Sequence, residues 1–234
     1  SNRGEFLGSP LGNPLAASVN LVRVGQPLGV FFGWQTEPLL SENGDIVISD
    51  LDGDGNSNFD SDDRTVIGDP NPDFIYGFDT SFSYKNFDLG VFFQGVQGVD
   101  VFNFNRVYLA NPDGRYNQLG EVANRWTPEN QNRSAFTPRA GSFNGNPTDR
   151  FVEDASFLRV RNITIGYNIN VEKVKFLSKA RIYFSGQNLF TFTDYTGFDP
   201  EVDTFGGGTD LRIGIDAGAY PSAKTVLSGI QLSF

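Results

Sequence analysis

The chain has 234 residues, 18 basic against 28 acidic for a formal charge of −10, and contains neither histidine nor cysteine. That balance offers no basic footprint for the phosphates of nucleic acid. The missing side chains remove disulfides, thiol and serine–histidine nucleophiles and zinc-type sites, so conventional hydrolase chemistry is not expected and the chain is read as a non-enzyme.

No run approaches the roughly 18 apolar residues that a transmembrane helix needs, yet 23 phenylalanines and 8 tyrosines must be covered by something. Strands of a membrane β-barrel satisfy both facts, because apolar and polar residues alternate and the mean hydropathy, here −0.29, stays low. Ser1-Asn2-Arg3-Gly4 lacks the charged and apolar regions of a signal peptide. A leader is therefore expected to have been removed or to lie well upstream.

The first strand is predicted over 23–35. The clearest signal follows, where Phe74, Tyr76, Phe78, Thr80, Phe82 and Tyr84 alternate with Ile75, Gly77, Asp79, Ser81 and Ser83, a strand with one greasy face. After Lys85-Asn86, a tight turn, Phe87, Leu89, Val91 and Phe93 alternate with Asp88, Gly90, Phe92 and Gln94, completing a β-hairpin. Further strands are predicted over 156–168, 179–192 and 223–234. In the first of these, Leu158 and Val160 differ in parity from Ile163, Ile165 and Tyr167, so a bulge near Arg161-Asn162 is expected to restore a single apolar face. The last alternates Val226, Ser228, Ile230, Leu232 and Phe234 with Leu227, Gly229, Gln231 and Ser233, and ends on an aromatic.

Connections alternate strictly in length: 36–73 long, 85–86 short, 97–155 long, 169–178 short, 194–222 long. Outer-membrane barrels have short periplasmic turns and long extracellular loops, whereas a soluble sandwich has no reason to sort them so. The fold class that results is all-β, antiparallel strands forming part of a large transmembrane β-barrel with long extracellular loops. A passive porin and a secreted calcium-binding β-sandwich adhesion module are the alternatives.

Within 36–73, Asp50, Asp52, Asp54 and Gly55 reproduce the opening of a calcium loop, in which alternating carboxylates point into one concavity and glycine permits the turn. Calcium takes roughly six to eight oxygens. Asp60, Asp62 and Asp63 are available to close the shell, and the backbone carbonyl of Asn56 to contribute at the seventh loop position. The twelfth position is Ser61 rather than a bidentate acid. A structural Ca2+ held by Asp50, Asp52, Asp54, Asn56, Asp60 and Asp63 is set against a solvated loop whose side chains cap its own turns. The aromatic groups Phe102, Phe104 and Tyr108, and Phe190, Phe192 and Tyr195, invite sugar stacking, but girdle or loop-packing roles fit better. Glu153-Asp154 does not establish the facing carboxylates of a glycosidase.

Several segments stand out, in order along the chain from about residue 21. They are Val24-Gly25-Gln26-Pro27-Leu28-Gly29 leading into Phe32-Gly33-Trp34; Asp50-Leu51-Asp52-Gly53-Asp54-Gly55 followed by Asp63-Arg64-Thr65-Val66-Ile67-Gly68; and Pro70-Asn71-Pro72-Asp73-Phe74-Ile75-Tyr76-Gly77-Phe78. Downstream come Phe157-Leu158-Arg159-Val160-Arg161-Asn162-Ile163-Thr164-Ile165-Gly166-Tyr167, then Gly186-Gln187-Asn188-Leu189-Phe190, and 216–221 before the last strand. Together these segments resemble the SusC/RagA family of TonB-dependent outer-membrane transporters, and the resemblance implies a plugged barrel of about 22 strands in the outer membrane of a Gram-negative bacterium, importing oligosaccharides or peptides. It also implies TonB, reached through an N-terminal region that this chain lacks, a SusD-like surface lipoprotein, and outer-membrane lipid as partners. In the family's pattern the closing aspartate precedes an arginine, which matches Asp63 before Arg64 after an apparent two-residue insertion. Six predicted strands cannot close so large a barrel, and neither plug nor TonB box is found. Residues 1–234 are thus expected to be a C-terminal portion of the barrel, with 36–73 as an acidic extracellular loop.

Overall fold

The computed structural model describes residues 19–56, 59–143, 145–174, 176–202, 204 and 212–234, and the backbone of 6–8. The described residues form strands β1 (Phe6–Gly8), β2 (Asn20–Val22), β3 (Val30–Trp34), β4 (Arg64–Gly68), β5 (Phe74–Tyr84), β6 (Phe87–Gln97) and β7 (Asp100–Asn103), then the short helix α1 (Phe104–Leu109), then β8 (Val152–Asp154), β9 (Phe157–Ile169), β10 (Lys179–Thr193), β11 (Ile215–Asp216) and β12 (Thr225–Ser233). They divide into two compact units. One is drawn from Ser1–Asn71, Val99–Asp154 and Tyr195–Ala219, the other from Pro72–Gly98, Ala155–Asp194 and Tyr220–Phe234.

The second unit is a single five-stranded sheet in the order β12-β10-β9-β6-β5, every neighbour antiparallel. Strands succeed one another as they occur in the unit, an up-and-down meander. β5 and β6 pair in perfect register from Tyr84↔Phe87 to Phe74↔Gln97. The two-residue turn between them is possible because Lys85 takes φ 54, a left-handed conformation that such hairpin loops demand.

The first unit corrects one expectation and adds elements that were not predicted. The strand predicted over 23–35 shortens to Val30–Trp34 and lies in a different sheet, order β1-β2-β3-β4. Pro27 has no N–H to give a ladder, and Gly25 and Gly29 adopt φ 87 and φ 71, so 23–29 is a turn. The three long connections carry structure of their own: β4 in the first, β7, α1 and β8 in the second, β11 in the third. Their aromatic residues need burial, and Val19, Phe31, Phe102, Phe104, Val107, Phe151 and Ile215 form one buried cluster drawn from all parts of the unit. The rings of Phe31 and Phe102 meet at 6.1 Å, and that of Phe151 stands edge-on to Phe102 at 6.1 Å. Phe102 and Phe104 thus hold connections together, one of the two roles expected of them.

Candidate functional site

Side chains of directly paired residues share a face of the sheet. The pairs Phe82↔Leu89, Phe78↔Phe93, Phe87↔Tyr167, Leu89↔Ile165, Phe184↔Ile165, Phe192↔Leu158 and Ile182↔Ile230 therefore build one continuous apolar, aromatic-rich face. Phe78, Phe82, Phe184, Phe190 and Phe192 are each more than half exposed on it. Nothing else among the described residues of this unit covers the face. A patch of this extent is far larger than water-soluble surfaces tolerate, and it matches the lipid side of a membrane strand.

The expected bulge keeps that face intact. Phe92 pairs with Asn162 but Phe93 with Val160, leaving Arg161 as the extra residue, so Leu158 and Val160 join Ile163, Ile165 and Tyr167 on one side. Arg161 then donates from Nε to Gln94 Oε1 at 2.7 Å and from Nη1 to Asn188 Oδ1 at 3.3 Å. On the same polar face Arg181 forms a two-pronged ion pair with Asp88, its Nε at 3.0 Å from Oδ1, and Asn168 donates to the same carboxylate at 3.3 Å. Ser185 donates to Asn162 at 2.9 Å and lies 2.8 Å from Thr164. One face is greasy and the other hydrogen-bonded, as a wall between lipid and a wet lumen requires.

The acidic loop belongs to the first unit. Trp34, at the end of β3, donates its indole N–H to the carbonyl of Asp60 at 2.5 Å, and Phe59 stands edge-on to its ring at 5.3 Å. Arg64 opens β4 with its guanidinium over the Phe32 and Trp34 rings and a 2.7 Å bond to the Phe32 carbonyl; burial lowers its pKa. Asp63, fully buried, accepts the N–H groups of Leu51 at 2.7 Å and Asp52 at 3.3 Å on Oδ1. Asp50 accepts those of Gly53 at 2.7 Å and Gly55 at 2.9 Å, and both glycines sit at φ near +80, where any other residue is strained.

Of the six predicted ligands, three converge: carboxylate oxygens of Asp50, Asp52 and Asp63 all lie within 4.8 Å of one another. The side chains of Asp54 and Asp60 instead cap their own turns, Asp54 receiving the N–H of Asn56 at 2.7 Å and Asp60 those of Asp62 at 2.9 Å and Asp63 at 3.2 Å. The donor set is hard oxygen throughout, and it fits a hard divalent cation on one further observation: Asp63 Oδ2 is buried without a hydrogen-bond partner. The largest single influence on Asp52, the N–H of Asp54, lowers its pKa. Desolvation and the negative charges of Asp54, Asp63 and Asp60 together outweigh it, so the carboxyl sits above its ordinary value of 3.8.

Sequence reasoning did not find a cavity of about 430 Å3 in the first unit, lined by Asn103, Arg106, Leu109, Glu121, Thr196 and Phe198 among others. Its polar wall is a built network. Arg106 holds Glu121 at 2.7 Å and Glu153 at 3.3 Å, while Thr196 donates to Glu153 from its N–H at 2.9 Å. Glu153 is thus engaged in holding Arg106, Asn103 and Thr196. Tyr195 is buried, not an exposed stacking platform; its hydroxyl donates to Asp216 at 2.7 Å, and burial above all, then Asp216, pushes its pKa far up.

No protein-family model matches the chain. Among curated proteins it is 34% identical to TonB-dependent receptor P3 of Formosa agariphila, over 98% of this chain and 24% of that protein. It is 31% identical to TonB-dependent receptor SusC of Bacteroides thetaiotaomicron, over 91% of this chain and 20% of that one. Among solved structures, the RagAB peptide transporter matches with a TM-score of 0.78 at 24% identity, over 98% of this chain and 24% of the solved one. The RagAB peptide importer in its closed-closed state matches with 0.76 at 26%, over 100% and 25%. The chain therefore spans 20% to 25% of the length of these relatives.

Proposed function

Because the chain belongs to the SusC/RagA family of TonB-dependent receptors, we propose that it is a C-terminal wall of an outer-membrane importer that admits nutrients too large for passive diffusion. The observation that carries this reading is the two-faced meander, aromatic toward one side and a hydrogen-bonded polar surface toward the other. In this reading the aromatic face meets outer-membrane lipid, the polar face lines the import path, and energy arrives through TonB from a part of the receptor outside this segment. The cargo is an oligosaccharide or a peptide, the latter supported by likeness to the RagAB peptide importer, and a SusD-like lipoprotein is the surface partner.

The test is uptake of fluorescent oligosaccharide and peptide pools by Gram-negative cells producing the full-length receptor, with and without functional TonB. Uptake that falls to background without TonB supports the proposal, and the pool taken up names the cargo class. Uptake indifferent to TonB would replace it with a passive pore. Purification of the receptor in mild detergent is expected to bring a lipoprotein with it.

A further inference from the structure

We infer that Asp50, Asp52 and Asp63 form a calcium site that ties the turn at 50–55 to the start of β4. Two independent observations meet here. The neighbouring carboxylates of Asp50 and Asp52 and that of Asp63, 11 positions beyond Asp52, place oxygens within 4.8 Å of one another, inside the reach of one calcium ion, whose opposite ligands stand up to about 5 Å apart. Asp63 is wholly shielded from solvent, and while its Oδ1 takes two backbone N–H groups, its Oδ2 takes no donor at all. A charged oxygen buried without a donor beside two further carboxylates is unfavourable unless a cation completes it.

The chemistry of the donors selects the ion. There is no histidine or cysteine anywhere in the chain, which disfavours zinc and the softer transition metals. Three carboxylates on a glycine-containing loop leave the balance of roughly six to eight positions to water and carbonyl groups, a mixed and adaptable shell that calcium accepts and magnesium, with its tight octahedron, does not. Asp50 is pre-shaped for the role: its two oxygens are steered by the N–H groups of Gly53 and Gly55, each in a left-handed conformation. With the ion bound, 50–55 is clamped to Asp63, and through Asp60 and Trp34 to the edge of the β3–β4 pair.

The test uses the full-length receptor in detergent, stripped with EGTA and then given CaCl2 or MgCl2 alone, with hydrogen exchange read over residues 50–63. Calcium is expected to slow exchange there. Asp52→Asn, which keeps a side-chain oxygen for the N–H of Asp54 that Asp52 accepts at 3.0 Å, is expected to raise the calcium concentration required by about tenfold or more. Asp54→Asn, whose carboxylate stands outside the cluster, is expected to leave it within about twofold. Asp63→Asn abolishes the response, and if that variant fails to fold, Asp52→Asn still decides. Unchanged exchange with calcium, protection by magnesium but not calcium, or equal effects of Asp52→Asn and Asp54→Asn would each overturn the inference.

Discussion

Gly33 and Tyr195 are positions where a single atom decides. A Cβ on Gly33 would lie 2.1 Å from the backbone oxygen of Pro147, the same oxygen that accepts the N–H of Trp34 at 3.0 Å. Backbone cannot swing aside as a side-chain tip can, so Gly33→Ala is expected to cost about 1–3 kcal/mol, seen as faster hydrogen exchange across 30–34. Tyr195→Phe leaves the buried Asp216 without its phenol donor and is expected to cost about 1–3 kcal/mol. The pH dependence has a definite sign. The folded pKa of Tyr195 is raised above the ordinary 10.0, so stability from the neutral phenol is complete below that value and is lost as pH rises through the folded one. Thermal melts of the receptor should therefore weaken above about pH 10, and Tyr195→Phe should flatten that part of the profile.

Elements of the sheet were legible because their two faces meet opposite environments. In β5 every residue is exposed within this unit, so the sequence alternates with period two without interruption from packing partners. The bulge in β9 was legible for the same reason, since a parity switch in an otherwise regular pattern has only one economical cause. The face assignment is testable on adjacent residues. Phe82→Arg, on the aromatic face toward the turn end of β5, is expected to reduce folding stability in lipid vesicles by about 1–2 kcal/mol, between the interfacial and midplane costs of a lipid-facing arginine. Ser81→Arg, on the polar face, is expected to be tolerated. Heat-modifiable migration on gels reads the folded fraction, and equal sensitivity at both positions would refute a lipid-facing side. β3 was read too long because hydrophobic residues continue across Pro27 and Gly29, whose backbone preferences overrule the pattern.

At the scale of the whole molecule, the five-stranded sheet carries an exposed aromatic face and two strands, β5 and β12, that each pair on one side only among the described residues. Open edges and an aromatic face of this size are incompatible with a dispersed state in water. Produced alone without detergent, the 234-residue segment is expected to elute as aggregate, with light scattering as the measure. A monodisperse, folded monomer in plain buffer would favour a secreted sandwich instead. The long connections were the least legible part. No strand was predicted within them, yet they help to assemble a second core around Phe31, Phe102, Phe104 and Phe151, because short strands of two to five residues carry too little periodicity to be recognised singly.

The sequence by itself determined the alternating strands, the tight turn at Lys85-Asn86, the bulge at Arg161 and the exclusion of thiol and imidazole chemistry, since each depends on residue type and on neighbours close along the chain. Tertiary structure alone decided which carboxylates meet. Spacing put Asp50, Asp52, Asp54, Asn56, Asp60 and Asp63 on equal footing, but the N–H of Leu51 reaches across twelve positions to Asp63 while Asp54 and Asp60 turn back on their own backbone. Convergence of that kind follows from how a loop is anchored at both ends, here by Trp34 and Arg64, and a local pattern contains no record of it.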